Sequence, residues 1–246
     1  MRITTTTTST RMTTAMATPI TTEADLGRLL AWTSPAYPIG GFSYSHGIEM
    51  AVEVGALRNR ADLVAYIAAV LADGAAAVDG PLLAAAWRAA QAGDAEALDA
   101  VAVLAAAFRG TAETALESLQ QGDSFARITQ SAWPDAGFAA FVARHPGRLA
   151  HAVAFGAAAG FCALPLRAAC YAYLSGFVAN LVSAGVRLVP LGQTDGQIAT
   201  AALIADVARA TDMALTTALE EIGSAAPMLD LFSMAHETQY TRLFRS

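Results

Sequence analysis

Between Arg167 and Arg187 the chain carries no charged side chain for nineteen residues, Ala168 to Val186. That is long enough to cross a bilayer. Yet Ser175, Gly176, Asn180 and Ser183 interrupt the run, and the segments on either side of it are amphipathic. A helix that is apolar all round must be buried, either in lipid or among other helices. The second setting fits the flanks. It predicts an all-α protein, a single globular bundle of about ten helices around a buried central helix at about 165–186, with a flexible N-terminal tail. A polytopic helical membrane protein is the alternative.

Composition narrows the chemistry. The 246 residues are 55% apolar and carry a net charge of −6. That balance argues against nucleic acid, or an anionic membrane surface, as the main partner. There is no lysine, so all fifteen basic residues are arginine. A phosphate loop of the Walker type needs its lysine, and Schiff-base chemistry needs a tunable amine. Any nucleotide hydrolysis connected with this chain therefore belongs to a partner. Cys162 and Cys170 have no His or Cys companion at ligand spacing and read as buried thiols. No cofactor or metal is expected.

Residues 1–22 are rich in threonine and lack the apolar core of a secretory signal, so they read as a disordered tail ahead of a domain at 23–246. Helices are expected at Glu23 to Thr33, Phe42 to Val54, Asn59 to about Ala72, and from Asp79-Gly80-Pro81 onward. Others follow at Asp94 to Phe108, Thr111 to Gln121 with a stop at Gly122, Ser124 to Ser131, Asp135 to about Arg144, and Leu149 to Leu164. In the last, Gly156 and Gly160 would let a second helix approach closely. Arg187-Leu188-Val189-Pro190-Leu191-Gly192-Gln193 is a turn. Thr194-Asp195-Gly196-Gln197 fits a capping box for a long helix to about Ile222, with Ile198, Ile204, Val207, Leu215, Leu219 and Ile222 facing inward. No stretch alternates like a strand.

Candidate chemistry is sparse. Ser43, Ser45 and His46 suggest a serine hydrolase, but the glycine two places after a nucleophile at Ser43 is missing, and helix capping is the simpler role. His46, His145, His151 and His236 are scattered, although His236-Glu237 could contribute to a composite site in a complex. No catalytic constellation emerges. The chain end is different. Phe232, Met234, Tyr240, Leu243 and Phe244 interleave with Arg242 and Arg245, the residue types that dominate binding hot spots. Either this segment contacts a partner or it is a terminus docked on its own domain.

Several motifs together resemble one family. Ser34-Pro35-Ala36-Tyr37-Pro38-Ile39-Gly40-Gly41-Phe42-Ser43-Tyr44-Ser45-His46-Gly47-Ile48-Glu49 is similar to the N-terminal signature of the urease accessory protein UreF family. Asp79-Gly80-Pro81, Val153-Ala154-Phe155-Gly156, the stretch Arg187 to Gln197 and the ending His236-Glu237-Thr238-Gln239-Tyr240-Thr241-Arg242-Leu243-Phe244-Arg245-Ser246 agree in kind and order. The resemblance covers roughly Leu29 to Ser246. His46, Ala115 and Ala150-His151-Ala152 depart from it, where glutamine, arginine and His-Tyr-Pro are expected.

The resemblance implies an all-helical, non-enzymatic, cytoplasmic chaperone of nickel insertion. It implies a homodimer that binds UreD (also called UreH), recruits the GTPase UreG and docks on apo-urease. Partner contacts are then expected in a C-terminal segment at 228–246, at His236, Glu237, Tyr240, Arg242, Leu243, Phe244, Arg245 and Ser246. Pro38, Gly40, Gly41, Ser43, Glu49, Arg187, Pro190, Gly192, Gln193, Thr194, Asp195 and Gln197 are motif positions that shape turns.

Overall fold

The computed structural model describes residues 22–246. The threonine-rich tail expected over 1–22 lies outside them except for Thr22, whose side chain accepts from the Asp25 amide and caps the first helix. Among the described residues there are twelve α-helices, two 3-10 turns and no strand. The helices are α1 (Glu23–Trp32), α2 (Ile48–Glu53), α3 (Arg60–Ala72), α4 (Ala75–Ala92), α5 (Ala95–Ala107) and α6 (Ala112–Ala132). They continue with α7 (Ala136–Arg144), α8 (His151–Phe161), α9 (Leu166–Leu188), α10 (Gln193–Ala202), α11 (Ile204–Thr216) and α12 (Pro227–His236).

Four of the residues expected to begin helices cap them. Asn59, Asp94, Thr111 and Asp135 each accept from a backbone N–H three residues on, at the starts of α3, α5, α6 and α7. Four boundaries differ from the expectation. The segment Phe42 to Val54 is not one helix: a short 3-10 turn (Gly41–Ser43) is followed by left-handed backbone at His46 (φ 54) and Gly47 (φ 80), and α2 begins only at Ile48. Asp79-Gly80-Pro81 lies inside α4 rather than at its start, because Asp79 is taken up by a buried ion pair with Arg109 instead of capping. Gly122 does not stop α6. It is the point where α6 crosses the chain entering α8, and a Cβ there would land in the Leu149 carbonyl oxygen.

The long helix expected from Asp195 breaks at the buried Leu203, so α10 packs on α9 and α3 while α11 packs on α4 and α9. Val207 is buried, but Ile198 and Ile204 are left exposed. Thr194 does not cap α10. The Asp195 carboxylate instead accepts from the Gly192 amide at 3.4 Å, half of a capping box.

The core is built around the crossing of α4 and α8. Gly156 faces the Leu83 backbone, and a Cβ on Gly160 would come within 2.7 Å of the Trp87 carbonyl oxygen, so the backbones are in contact with no side chain between them. α6 covers α8 on one side, while α9 and α11 close around α4. Trp32 at the end of α1 meets Phe125 and Phe155 edge to face, and those two rings are tilted against each other, with centroids 5.3–5.5 Å apart. The uncharged run forms α9. It is the one helix among the described residues long and apolar enough to cross a membrane, and half of the qualifying window is buried within the fold.

Since the α4–α8 contact leaves no room for a methyl, Gly156→Val is expected to cost at least about 3 kcal/mol by overpacking. Gly27→Ala, in the open exposed face of α1, is expected to gain up to about 1 kcal/mol from helix propensity. Urea denaturation midpoints of the two variants check both.

Candidate functional site

The C-terminal segment folds back over the start of α2 and α6. α12 begins at Pro227, which pre-sets its first turn, and ends at His236, whose side chain is fully buried. Its imidazole sits between two carboxylates. Nδ1 lies 2.9 Å from both oxygens of Glu113, and Nε2 lies 3.0 Å from Oε2 of Glu49. Glu49 in turn accepts from the backbone N–H groups of Leu243 at 2.6 Å and Phe244 at 2.9 Å. Burial raises the Glu113 carboxyl above its usual value, only partly countered by His236 and Arg242.

The last residues dock as a strap. The Ser246 carbonyl accepts from the Ser45 amide at 2.5 Å and from the Ser45 hydroxyl at 2.7 Å. Arg245 N–H donates to the Ser43 carbonyl, and the buried Phe244 ring receives the Arg187 guanidinium at 4.2 Å from its centroid. Arg187 also donates to the Phe42 carbonyl. So Ser43 and Glu49 from one short motif, and Arg187 from far along the chain, converge on the strap. Gly40, in left-handed backbone at φ 76, and Gly41, packed against the Asn180 amide, turn the chain into that position.

The C-terminal residues therefore divide into two sets. His236, Phe244 and Ser246 are buried and anchor the strap. Tyr240 is wholly exposed and Leu243 is 65% exposed. Met228, Leu231 and Met234 along one side of α12 are exposed too, as are Glu237, Arg242 and Arg245. The turn from Pro190 to Gln197 is not part of this assembly. Pro190, Gly192, Gln193, Thr194 and Gln197 are exposed, Asp195 is held by Arg60 at 2.6 Å, and no hydrogen bond or ion pair among the described residues joins the turn to the strap. Pro38 is exposed as well.

Under the strap lies a second polar group that the sequence did not signal. His46 contacts Glu117 at 3.2 Å; burial alone would lower its pKa, but the carboxylate outweighs that and raises it. Asp79 pairs with Arg109 at 2.7 Å and accepts from the Tyr173 hydroxyl at 3.2 Å. His151 leans on Phe125 and Tyr173 with its Nε2 sealed and unpartnered, and burial pushes its pKa down to about 4. Ser43 makes no hydrogen bond to His46, so the hydrolase reading lacks its nucleophile–base pair. Among the described residues no three His, Cys, Asp or Glu side chains gather as a metal site.

A strap seated by Ser45, Glu49 and His236 is what the N-terminal and C-terminal motifs share. The UreF family model matches residues 57–204. A urease accessory protein UreF from Granulibacter bethesdensis is 64% identical over 226 residues, covering 92% of this chain and 96% of that protein. One from Rhodopseudomonas palustris strain BisB5 is 47% identical over 235 residues, covering 95% and 97%. Another from Bradyrhizobium diazoefficiens is 44% identical over 223 residues, covering 91% and 92%. The chain belongs to the UreF family. It is accordingly a urease accessory protein, and not an enzyme.

His151 is neutral in the fold down to about pH 4 but has an ordinary value of 6.5 when unfolded, so the unfolded chain binds the extra proton in between. Stability should thus fall by on the order of 2 kcal/mol as pH drops from 6.5 to about 4 through this group. His151→Phe should remove that part of the slope, read from denaturation midpoints of both proteins across the range.

Proposed function

We propose that this UreF-family protein is a cytoplasmic scaffold for nickel insertion into apo-urease. It joins UreD (UreH), recruits the GTPase UreG and works as a homodimer. In this reading it supplies shape, not chemistry. The lack of any lysine in the chain leaves nucleotide hydrolysis to UreG, in keeping with a protein that gathers partners.

The observation that carries the reading is the exposed apolar side of α12 and the strap. Met228, Leu231, Met234, Tyr240 and Leu243 are uncovered, while the same segment is fixed from beneath by His236, Phe244 and Ser246. Large apolar side chains held on a pre-ordered backbone lose little entropy when a partner covers them. Tyr240 is the natural anchor, with arginines 242 and 245 at its rim. The printed name of the relatives, urease accessory protein, supports the same role.

Tyr240→Ala with Leu243→Ala removes exposed atoms only, so the fold should be kept. Capture of the UreD and UreG proteins in a pull-down from cells holding the urease cluster should weaken at least roughly 30-fold, about 2 kcal/mol. The nickel content of the urease should fall in parallel. Undiminished capture and full nickel loading would reject the surface as the contact.

A further inference from the structure

A cavity of about 400 Å³ opens between the start of α4, the loop joining α5 to α6, and α12. The scaffold role uses none of it. Two of its lining side chains are basic and at least nine-tenths buried, His46 at 10% exposure and Arg109 at 8%. Each is tied to a carboxylate through one nitrogen, His46 by Nδ1 to Glu117 and Arg109 by Nη2 to Asp79. Each keeps another nitrogen with no hydrogen-bond partner among the described residues, Nε2 of His46 and Nε of Arg109. Burial works against charge on the imidazole, but Glu117 outweighs it and favours the protonated ring, in which Nε2 carries an N–H.

We propose that this cavity binds a small organic carboxylate, its head on His46 Nε2 and its apolar body against Val78, Phe108 and Leu229. A nearly buried donor without an acceptor is costly, and a carboxylate oxygen is the acceptor that matches it best. The adjoining wall is the N-terminus of α4. Gly74 and Ala75 line the cavity, and Gly74 has no side chain with which to cap the helix. The first N–H groups of that helix and the positive end of its dipole therefore favour an anion on the same side.

Size and charge narrow the ligand. The volume lies within the range of small-molecule sites. Asp79 and Glu117 offset Arg109 and His46, so affinity rests on the directed Nε2–H and the helix end rather than on net charge. Asp230 of α12 is the acidic residue of the lining, beside Gly110, and it opposes any anion. A singly charged carboxylate meets that opposition less than a phosphate does, and the apolar walls suit a hydrocarbon body. The residues used are distinct from the exposed side of α12, so the site does not depend on which partner that side meets.

The test titrates benzoate into the full chain, alone, and follows the Val78 and Leu229 methyls and the His46 ring by NMR. Saturable shifts are expected, with a dissociation constant on the order of 1 mM or below. Benzamide, which has the same shape without the charge, and inorganic phosphate should each bind at least roughly tenfold more weakly. His46→Gln, checked for fold by circular dichroism, should weaken benzoate by a similar factor, whereas Asp230→Asn should tighten it. Benzoate that does not saturate, benzamide or phosphate binding as well as benzoate, or affinity unchanged in His46→Gln would each overturn the site. So would weaker binding in Asp230→Asn, which would mark the cavity as one for a cation.

Discussion

Everything at the C-terminal face depends on one buried imidazole held between two carboxylates. His236, Glu49 and Glu113 come from three helices separated by up to 187 positions in the chain. Burying a charge is costly unless it is paired and hydrogen-bonded. Here each member answers the others, and Glu49 spends its remaining capacity on the strap backbone. The result is a terminus that is ordered despite having few apolar contacts of its own. Phe244 adds the one large buried side chain, closed over by Arg187.

The rest of the bundle makes that arrangement possible. α4 and α8 meet backbone to backbone through Gly156 and Gly160, and α6, with its buried row of Glu113, Glu117 and Gln121, packs on α8 and against α12. Those buried polar residues, with His46, Asp79 and Arg109, form an ionic layer between the apolar core and the strap. Removing one partner of such a layer leaves a charge with no solvent to receive it, at about 3–5 kcal/mol.

Much of the fold was legible because its signals are local. Caps at Asn59, Asp94, Thr111 and Asp135 are read from a side chain and an amide three residues away. The close approach at Gly156 and Gly160 follows from spacing alone. What misled was also physical. Gly122 and Asp79-Gly80-Pro81 look like helix ends, but each lies mid-helix where a neighbouring segment or an ion partner occupies the space. Leu203 carries no breaker residue, and the bend there comes from packing on two different sets of helices. At the site, the aromatic and arginine content of the tail stood out, yet its division into anchors and exposed residues did not. That division depends on Glu49, Glu113 and Ser45, which no spacing rule connects to residues 236–246.

The claim that the strap is held by a coupled ionic cluster is tested most directly by a double-mutant cycle on Glu49→Gln and His236→Gln, read as unfolding free energy. Residues that act as one unit should give a coupling of about 2 kcal/mol or more, the double variant costing clearly less than the two single changes added together. Single costs that simply add, within about 0.5 kcal/mol, would contradict the account.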